Sequence, residues 1–158
     1  MKISDMNLSE IGKKLTQEDL SELESKLNII LSSDYKVFLL QNNGGTPDKM
    51  IGLDFIEIDP NTNKSFDQGT DVQYFYDIDL VITAYGNLIA EELIPEKYIS
   101  FACDSCGNAI LLCSDASENN GKVYFANHGL YNQTTGAWVI TEIASSFDEF
   151  IGKLEIEI

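Results

Sequence analysis

The sequence predicts an α+β fold, and three observations carry that prediction. Helix-start signals stand before apolar residues at helical spacing near both ends of the chain and once in its middle. Between them, short runs rich in β-branched and aromatic residues fall at 50–59, 72–76, 98–102, 109–113, 123–126 and 138–141, the composition of strands. The 158 residues are 44% apolar and 10% aromatic. At this length a chain buries about 70% of the surface it exposes when unfolded, and residues 1–158 are expected to form a single domain.

The elements follow in order. Thr16 with Asp19 three positions on is a capping-box variant, after which Leu20, Leu23, Leu27, Ile30 and Leu31 recur on one helical face. Ser32 or Ser33 caps a second helix carrying Tyr35, Phe38 and Leu39, with Gly44 and Gly45 as its stop, so the first third reads as a helical hairpin. From Ile51 the apolar residues alternate through Leu53 and Phe55 and then change phase to Ile56 and Ile58. That pattern predicts a bulged strand or one buried on both faces. Residues 61–71 are polar and read as a loop, and 72–76 as a strand.

Asp77 or Asp79 caps a middle helix whose face holds Val81, Tyr85, Leu88 and Glu92 and which Pro95 closes. The runs at 98–102 and 109–113 begin a meander, with Ile110, Leu111 and Leu112 apolar enough for a central strand. Asn120-Gly121 predicts a type I′ hairpin turn before Val123. Trp138 to Thr141 is the last expected strand. Ser146 with Glu149 forms a capping box for a closing helix that presents Phe147, Phe150, Ile151 and Leu154.

Composition excludes several functions. Twenty-six acidic residues against ten basic ones give a net charge of −16, a field that repels nucleic acid and anionic lipid and attracts polycations. All the basic residues are lysine, so no guanidinium fork can clamp a phosphate. The start of the chain lacks the charged and apolar stretches of a secretory signal, and no run approaches the roughly 18 apolar residues of a membrane span. The expected location is the cytoplasm, with Cys103, Cys106 and Cys113 as free thiols.

Several segments, in order, resemble the SUKH superfamily. They are Leu23-Glu24, then Asp34 to Leu40, Asn42-Asn43-Gly44-Gly45, Ile94-Pro95, Tyr98 to Ala102, Asp104, Gly107-Asn108, Ile110 to Leu112, Gly121 to Phe125, His128, and Ile143-Ala144 with Ser146 to Phe150. The likeness spans about Thr16 to Leu154. It departs at Ser32-Ser33, where the family usually has leucine-proline, and at Cys106 in place of a common glycine. The resemblance implies a mixed or antiparallel sheet of about five to six strands packed against helices. It also implies a protein-binding role: most bacterial examples look like immunity proteins that neutralise secreted polymorphic toxins, often nucleases, while fungal members regulate cell-wall assembly.

Against that background one charge feature stands out. Asp54, Glu57, Asp59, Asp67, Asp71, Asp77 and Asp79 share the stretch 54–79 with a single cation, Lys64. Carboxylates of this kind can occupy the basic groove of a nuclease, and neighbouring aromatics supply the apolar centre of such an interface. The expected contact residues are Glu57, Asp59, Asp67, Asp71, Tyr74, Tyr76, Asp77 and Asp79, with Phe75 the alternative to the two tyrosines because strand neighbours alternate. The partner implied is a cognate toxin, a basic nuclease domain, or in the alternative reading an endogenous partner of a regulatory module.

Catalytic and metal readings are weaker. Cys103-x-x-Cys106 with Cys113 and His128 has zinc-ligand residue types but lacks a second tight pair. Asp54, Glu57 and Asp59 are hard oxygen ligands, yet they sit in an apolar strand and not in a glycine-bearing calcium loop. His128, the single histidine, is accompanied by no serine elbow, phosphate loop or HExxH pattern and is expected to anchor a turn or meet a partner. No enzyme activity, metal or cofactor is expected.

Overall fold

The computed structural model describes residues 1–157. After a 3₁₀ turn at Ile3–Met6, the elements are α1 (Gln17–Leu27), α2 (Ser33–Gln41), β1 (Ile51–Ile58), β2 (Ser65–Asp71), β3 (Tyr74–Phe75), α3 (Ile78–Ala90), β4 (Tyr98–Cys103), β5 (Ala109–Cys113), β6 (Val123–Tyr131), β7 (Trp138–Ala144), α4 (Phe147–Lys153) and β8 (Glu155–Ile156). The fold is α+β as expected, and its strands divide between two antiparallel sheets. One has the order β3-β4-β5-β6-β7 and the other β2-β1-β8. No helix among the described residues is long and apolar enough to cross a membrane.

Local signals fix the helix starts. Thr16 Oγ1 accepts from the Asp19 N–H at 3.2 Å, and the Asp19 carboxylate accepts from the Thr16 N–H at 2.8 Å, the reciprocal bonds of a capping box. Asp77, not Asp79, caps α3 by accepting from the Leu80 N–H at 2.9 Å. Ser146 caps α4 through the Glu149 N–H at 3.0 Å. The stops are less faithful to expectation. Asn28 takes a left-handed conformation with φ of 54° and ends α1, so Ile30 lies outside the helix and is exposed while Leu31 turns into the core. α2 ends at Gln41, ahead of the glycine pair. Gly44, at φ of 74°, is needed for another reason: a Cβ there would stand 2.6 Å from the Asp77 amide nitrogen.

The main core lies between the five-stranded sheet and the helices. Tyr35 and Phe38 of α2, Phe75 and Phe101 of the sheet and Phe147 and Phe150 of α4 pack as one aromatic cluster, with Tyr35–Phe147 ring centroids 5.3 Å apart and Phe38–Phe75 5.2 Å. β5 is the central strand, as its apolar run predicts. Ile110 and Leu112 enter this core, while Ala109, Leu111 and Cys113 face a second cluster on the other side with Ile94, Tyr98 and Ala126. α3 serves both: Ile78 and Val81 join the main core, and Leu88 and Ile89 pack on the second cluster.

Four strand expectations need correction. β1 has no change of phase, because its pairing with β2 runs without a break from Gly52↔Asp71 to Ile58↔Ser65. Ile56 and Ile58 therefore face solvent, and Glu57 continues the inward face, fully buried. Residues 65–71, read as loop from their polarity, form β2, while the strand expected over 72–76 shrinks to Tyr74–Phe75. Pairing with a neighbour overrides weak local propensity here. Asn120-Gly121 forms no type I′ turn, since Gly121 has a positive φ and Asn120 does not; the Asn120 amide instead donates to the Ile30 and Asp115 carbonyls at 2.8 and 2.7 Å. β8 carries too few residues to leave a periodic signal.

Candidate functional site

A concave feature lined by aromatic side chains grows from the edge strand β3. Successive side chains of a strand point to opposite faces, so Phe75 enters the core at 2% exposure while Tyr74 and Tyr76 turn outward, half-buried, with ring centroids 5.5 Å apart. The helix that follows, α3, supplies the opposite wall through Ala84, Asn87 and Leu88. Between them runs a groove of about 430 Å³, floored by Ser100 and Cys103 of β4 and reaching Trp138 of β7. The choice between Phe75 and the two tyrosines is thus decided by the register of β3 on β4, Tyr74↔Cys103 and Phe75↔Ala102.

The chemistry of this groove favours binding over reaction. Burial pushes the Cys103 thiol up, more than hydrogen bonds with the Tyr74 and Tyr76 hydroxyls pull it down. Tyr74 is raised chiefly by its hydrogen bond with Cys103, and Tyr76 chiefly by its own burial. All three groups hold their protons near neutral pH, so the groove offers hydrogen-bond donors and aromatic area in place of a thiolate nucleophile. The Cys103 thiol donates weakly to Gln73 Oε1 at 3.8 Å. Trp138 presents its ring to the groove, and its indole N–H is buried with no acceptor among the described residues.

The acidic stretch is not one surface. Glu57 is withdrawn from the expected contact set, because its carboxylate is buried and Oε1 accepts from Asn127 Nδ2 at 2.8 Å and Gln68 Nε2 at 3.2 Å. Asp59 accepts from the Asn61 N–H at 2.8 Å and organises the β1–β2 turn. Asp71 holds Ser105 through its N–H at 3.1 Å and its hydroxyl at 2.8 Å, and Asp77 is the α3 cap. Asp67 stands on the solvent face of β2 beside Asp54. Asp79 opens toward α1, near Asp19, Glu22, Lys13 and Lys26. Tyr74 and Tyr76 share the groove, with Asp77 near Tyr74 on its other side.

Sequence reasoning missed two contributors. Trp138 lies far along the chain from the tyrosines, and only the sheet order brings it into the same groove. Asp104, buried at its rim, accepts from the Cys106 N–H at 3.0 Å, the Asn108 N–H at 2.7 Å, Asn108 Nδ2 at 2.8 Å and Thr70 Oγ1 at 3.2 Å. The Asp-x-x-x-Asn spacing around Gly107 is the signal that marks this turn.

Cys103 is half-buried, Cys106 exposed and Cys113 buried, and among the described residues no group of three or more His, Cys, Asp or Glu side chains is placed to hold a metal. Burial also raises the Cys113 thiol. His128, beyond the strand expected over 123–126, belongs to β6. Its N–H donates to Asn108 Oδ1 at 3.0 Å and its Nε2 meets the Cys106 carbonyl, so it anchors the 104–108 turn.

The family model described as SMI1 / KNR4 family (SUKH-1) matches residues 14–153, a span that contains the helical hairpin, the whole five-stranded sheet and the groove. No curated protein matches the chain.

Proposed function

This chain belongs to the SMI1 / KNR4 family (SUKH-1), and from that premise we propose that it is a non-catalytic immunity protein, which binds a cognate polymorphic toxin and neutralises it by stoichiometric occlusion. The observation that carries the reading is the outward Tyr74–Tyr76 pair lining an open groove whose thiol and hydroxyls stay protonated. Rigid aromatics of this kind are the usual anchors of protein interfaces. The net charge of −16 suits a basic partner such as a nuclease domain, with long-range attraction speeding encounter and carboxylates matching the phosphate-binding groove.

Regulators of cell-wall assembly belong to the same superfamily, and a regulatory module with an endogenous partner is the second reading. It uses the same physics and differs in the partner. The test is a pull-down and growth rescue with the polymorphic toxin domain encoded nearest the gene, comparing the wild type with Tyr74→Ala/Tyr76→Ala. Rescue and a one-to-one complex with the wild type, both lost in the variant, are expected. Rescue by both proteins keeps immunity and removes the tyrosine groove from it. A folded wild type that neither rescues nor forms a complex moves the reading to the regulatory module.

A further inference from the structure

β1 is covered along one side and open along most of the other. β2 pairs with it from Gly52 to Ile58, whereas β8 pairs only with Ile51 and Gly52. Two hydrogen bonds fix which backbone groups point where: the Val72 N–H donates to the Ile51 carbonyl at 2.9 Å, and the Glu157 N–H donates to the Met50 carbonyl at 2.9 Å. Odd-numbered residues of β1 thus direct their N–H and C=O groups to β2, and even-numbered ones to the β8 side, since a strand alternates. Beyond Gly52 no strand among the described residues pairs with that side, which leaves Asp54, Ile56 and Ile58 with their backbone donors and acceptors on an open edge.

That edge borders a groove of about 600 Å³, closed on its far side by Glu142 and Ile143 of β7 and by Glu155 to Glu157. The β7 side is guarded. Lys153 Nζ donates to the Ile143 carbonyl at 3.0 Å and pairs with Glu149 at 3.0 Å, the use of lysine that blunts exposed strand edges. No such guard stands on β1. The groove is lined by the carboxylates of Asp54, Glu142, Glu155 and Glu157, with Lys153 its one cation; Glu142 also pairs with Lys122 at 3.2 Å.

We infer that the open edge of β1 accepts an extended, lysine- or arginine-bearing segment of a partner protein as an added strand. Main-chain hydrogen bonds to Asp54, Ile56 and Ile58 hold it, and the groove carboxylates select its basic side chains. A second copy of this chain is the wrong occupant: pairing the two β1 edges brings together two chains that each carry a net charge of −16, with the groove carboxylates of both beside the seam, and like charges repel. The inference rests on the protein-binding reading and adds a docking mode that the tyrosine groove does not require.

The probe is a capped peptide of alternating lysine and valine, about seven residues long, titrated into the ¹⁵N-labelled full chain. Saturable one-to-one binding is expected, with amide exchange slowed about tenfold or more at Asp54, Ile56 and Ile58. The same peptide N-methylated at alternate residues should bind at least about tenfold more weakly, because it cannot complete the ladder. Equal binding by the two peptides, shifts centred on Tyr74 and Tyr76, or no binding overturns the inference. Ile56→Pro deletes an edge N–H that β2 does not use and should weaken the peptide; should it misfold, Asp54→Lys tests the charge selection with the edge intact. Growth rescue is read separately. Loss of peptide binding with rescue intact discards the edge alone, and loss of rescue with peptide binding intact discards the immunity reading alone.

Discussion

Glu57 and Asn127 stand 70 positions apart and share a 2.8 Å hydrogen bond that ties β1 of the small sheet to β6 of the large one. The Glu57 side chain is fully buried, its Oε1 also accepts from Gln68, and its Oε2 has no partner among the described residues. Phe55 packs on Phe125 beside it with centroids 5.0 Å apart. A residue that composition places among surface acids is therefore a polar tie within the core.

Removing that acceptor leaves two half-buried amides, those of Asn127 and Gln68, without this partner. Glu57→Ala is expected to cost about 1–3 kcal/mol, whereas Glu57→Gln keeps an acceptor oxygen for both amides and should unfold closer to the wild-type urea concentration. A destabilised glutamine variant beside a tolerated alanine would refute the tie.

The two faces of β3 should separate stability from binding. Phe75→Ala empties a site in the aromatic cluster and is expected to cost about 3–5 kcal/mol. Tyr74→Ala and Tyr76→Ala should change the urea midpoint far less while weakening a partner complex, as measured by calorimetric titration. Loss of stability without loss of affinity at the tyrosines would move the contact surface elsewhere.

Acidic residues of the 54–79 stretch should divide the same way. Asp67→Lys and Asp79→Lys leave the fold unchanged and slow association with a basic partner, with the difference shrinking as salt rises. Asp77→Ala removes the α3 cap and is expected to cost about 1 kcal/mol, and Asp71→Lys loosens the Ser105 turn. Stopped-flow rates at two ionic strengths, read beside thermal melts, check both halves.

Stability should hold through neutral pH and fall at both ends. Burial raises the Tyr35 hydroxyl and the Cys103 and Cys113 thiols above their ordinary values. The folded chain then binds these protons more tightly, so the stabilisation is complete below the unfolded values, about 8.5 for cysteine and 10 for tyrosine, and is lost as pH rises past them. Asp19, Asp115 and Glu149 are held low, chiefly by hydrogen bonds from Thr16, Ser117 and Ser145 respectively. Their contribution is present above about pH 4 and disappears as pH falls further. Urea midpoints across the range test this, and a midpoint that climbs between pH 8 and 10.5 would contradict it.

Much of the chain's plan was legible because it is written in local chemistry. Thr16, Ser146 and the Asp77 alternative marked helix starts whose bonds involve residues three positions away, and the apolar run at Ile110 to Leu112 announced a strand buried on both faces. Spacing and residue type settle such features before any tertiary contact forms. Tertiary structure decided what depends on partners far along the chain. The polar 65–71 stretch became β2 only because β1 lies beside it, and Ile56 and Ile58 face solvent because an unbroken ladder outweighs the preference of two isoleucines for the core. The same ladder turned Glu57 inward to Asn127 and left the backbone of Asp54, Ile56 and Ile58 on an open edge, while the order of the five-stranded sheet brought Trp138 into the groove of Tyr74 and Tyr76. Local rules see three or four residues at a time, and strand pairing is a choice among segments tens of residues apart.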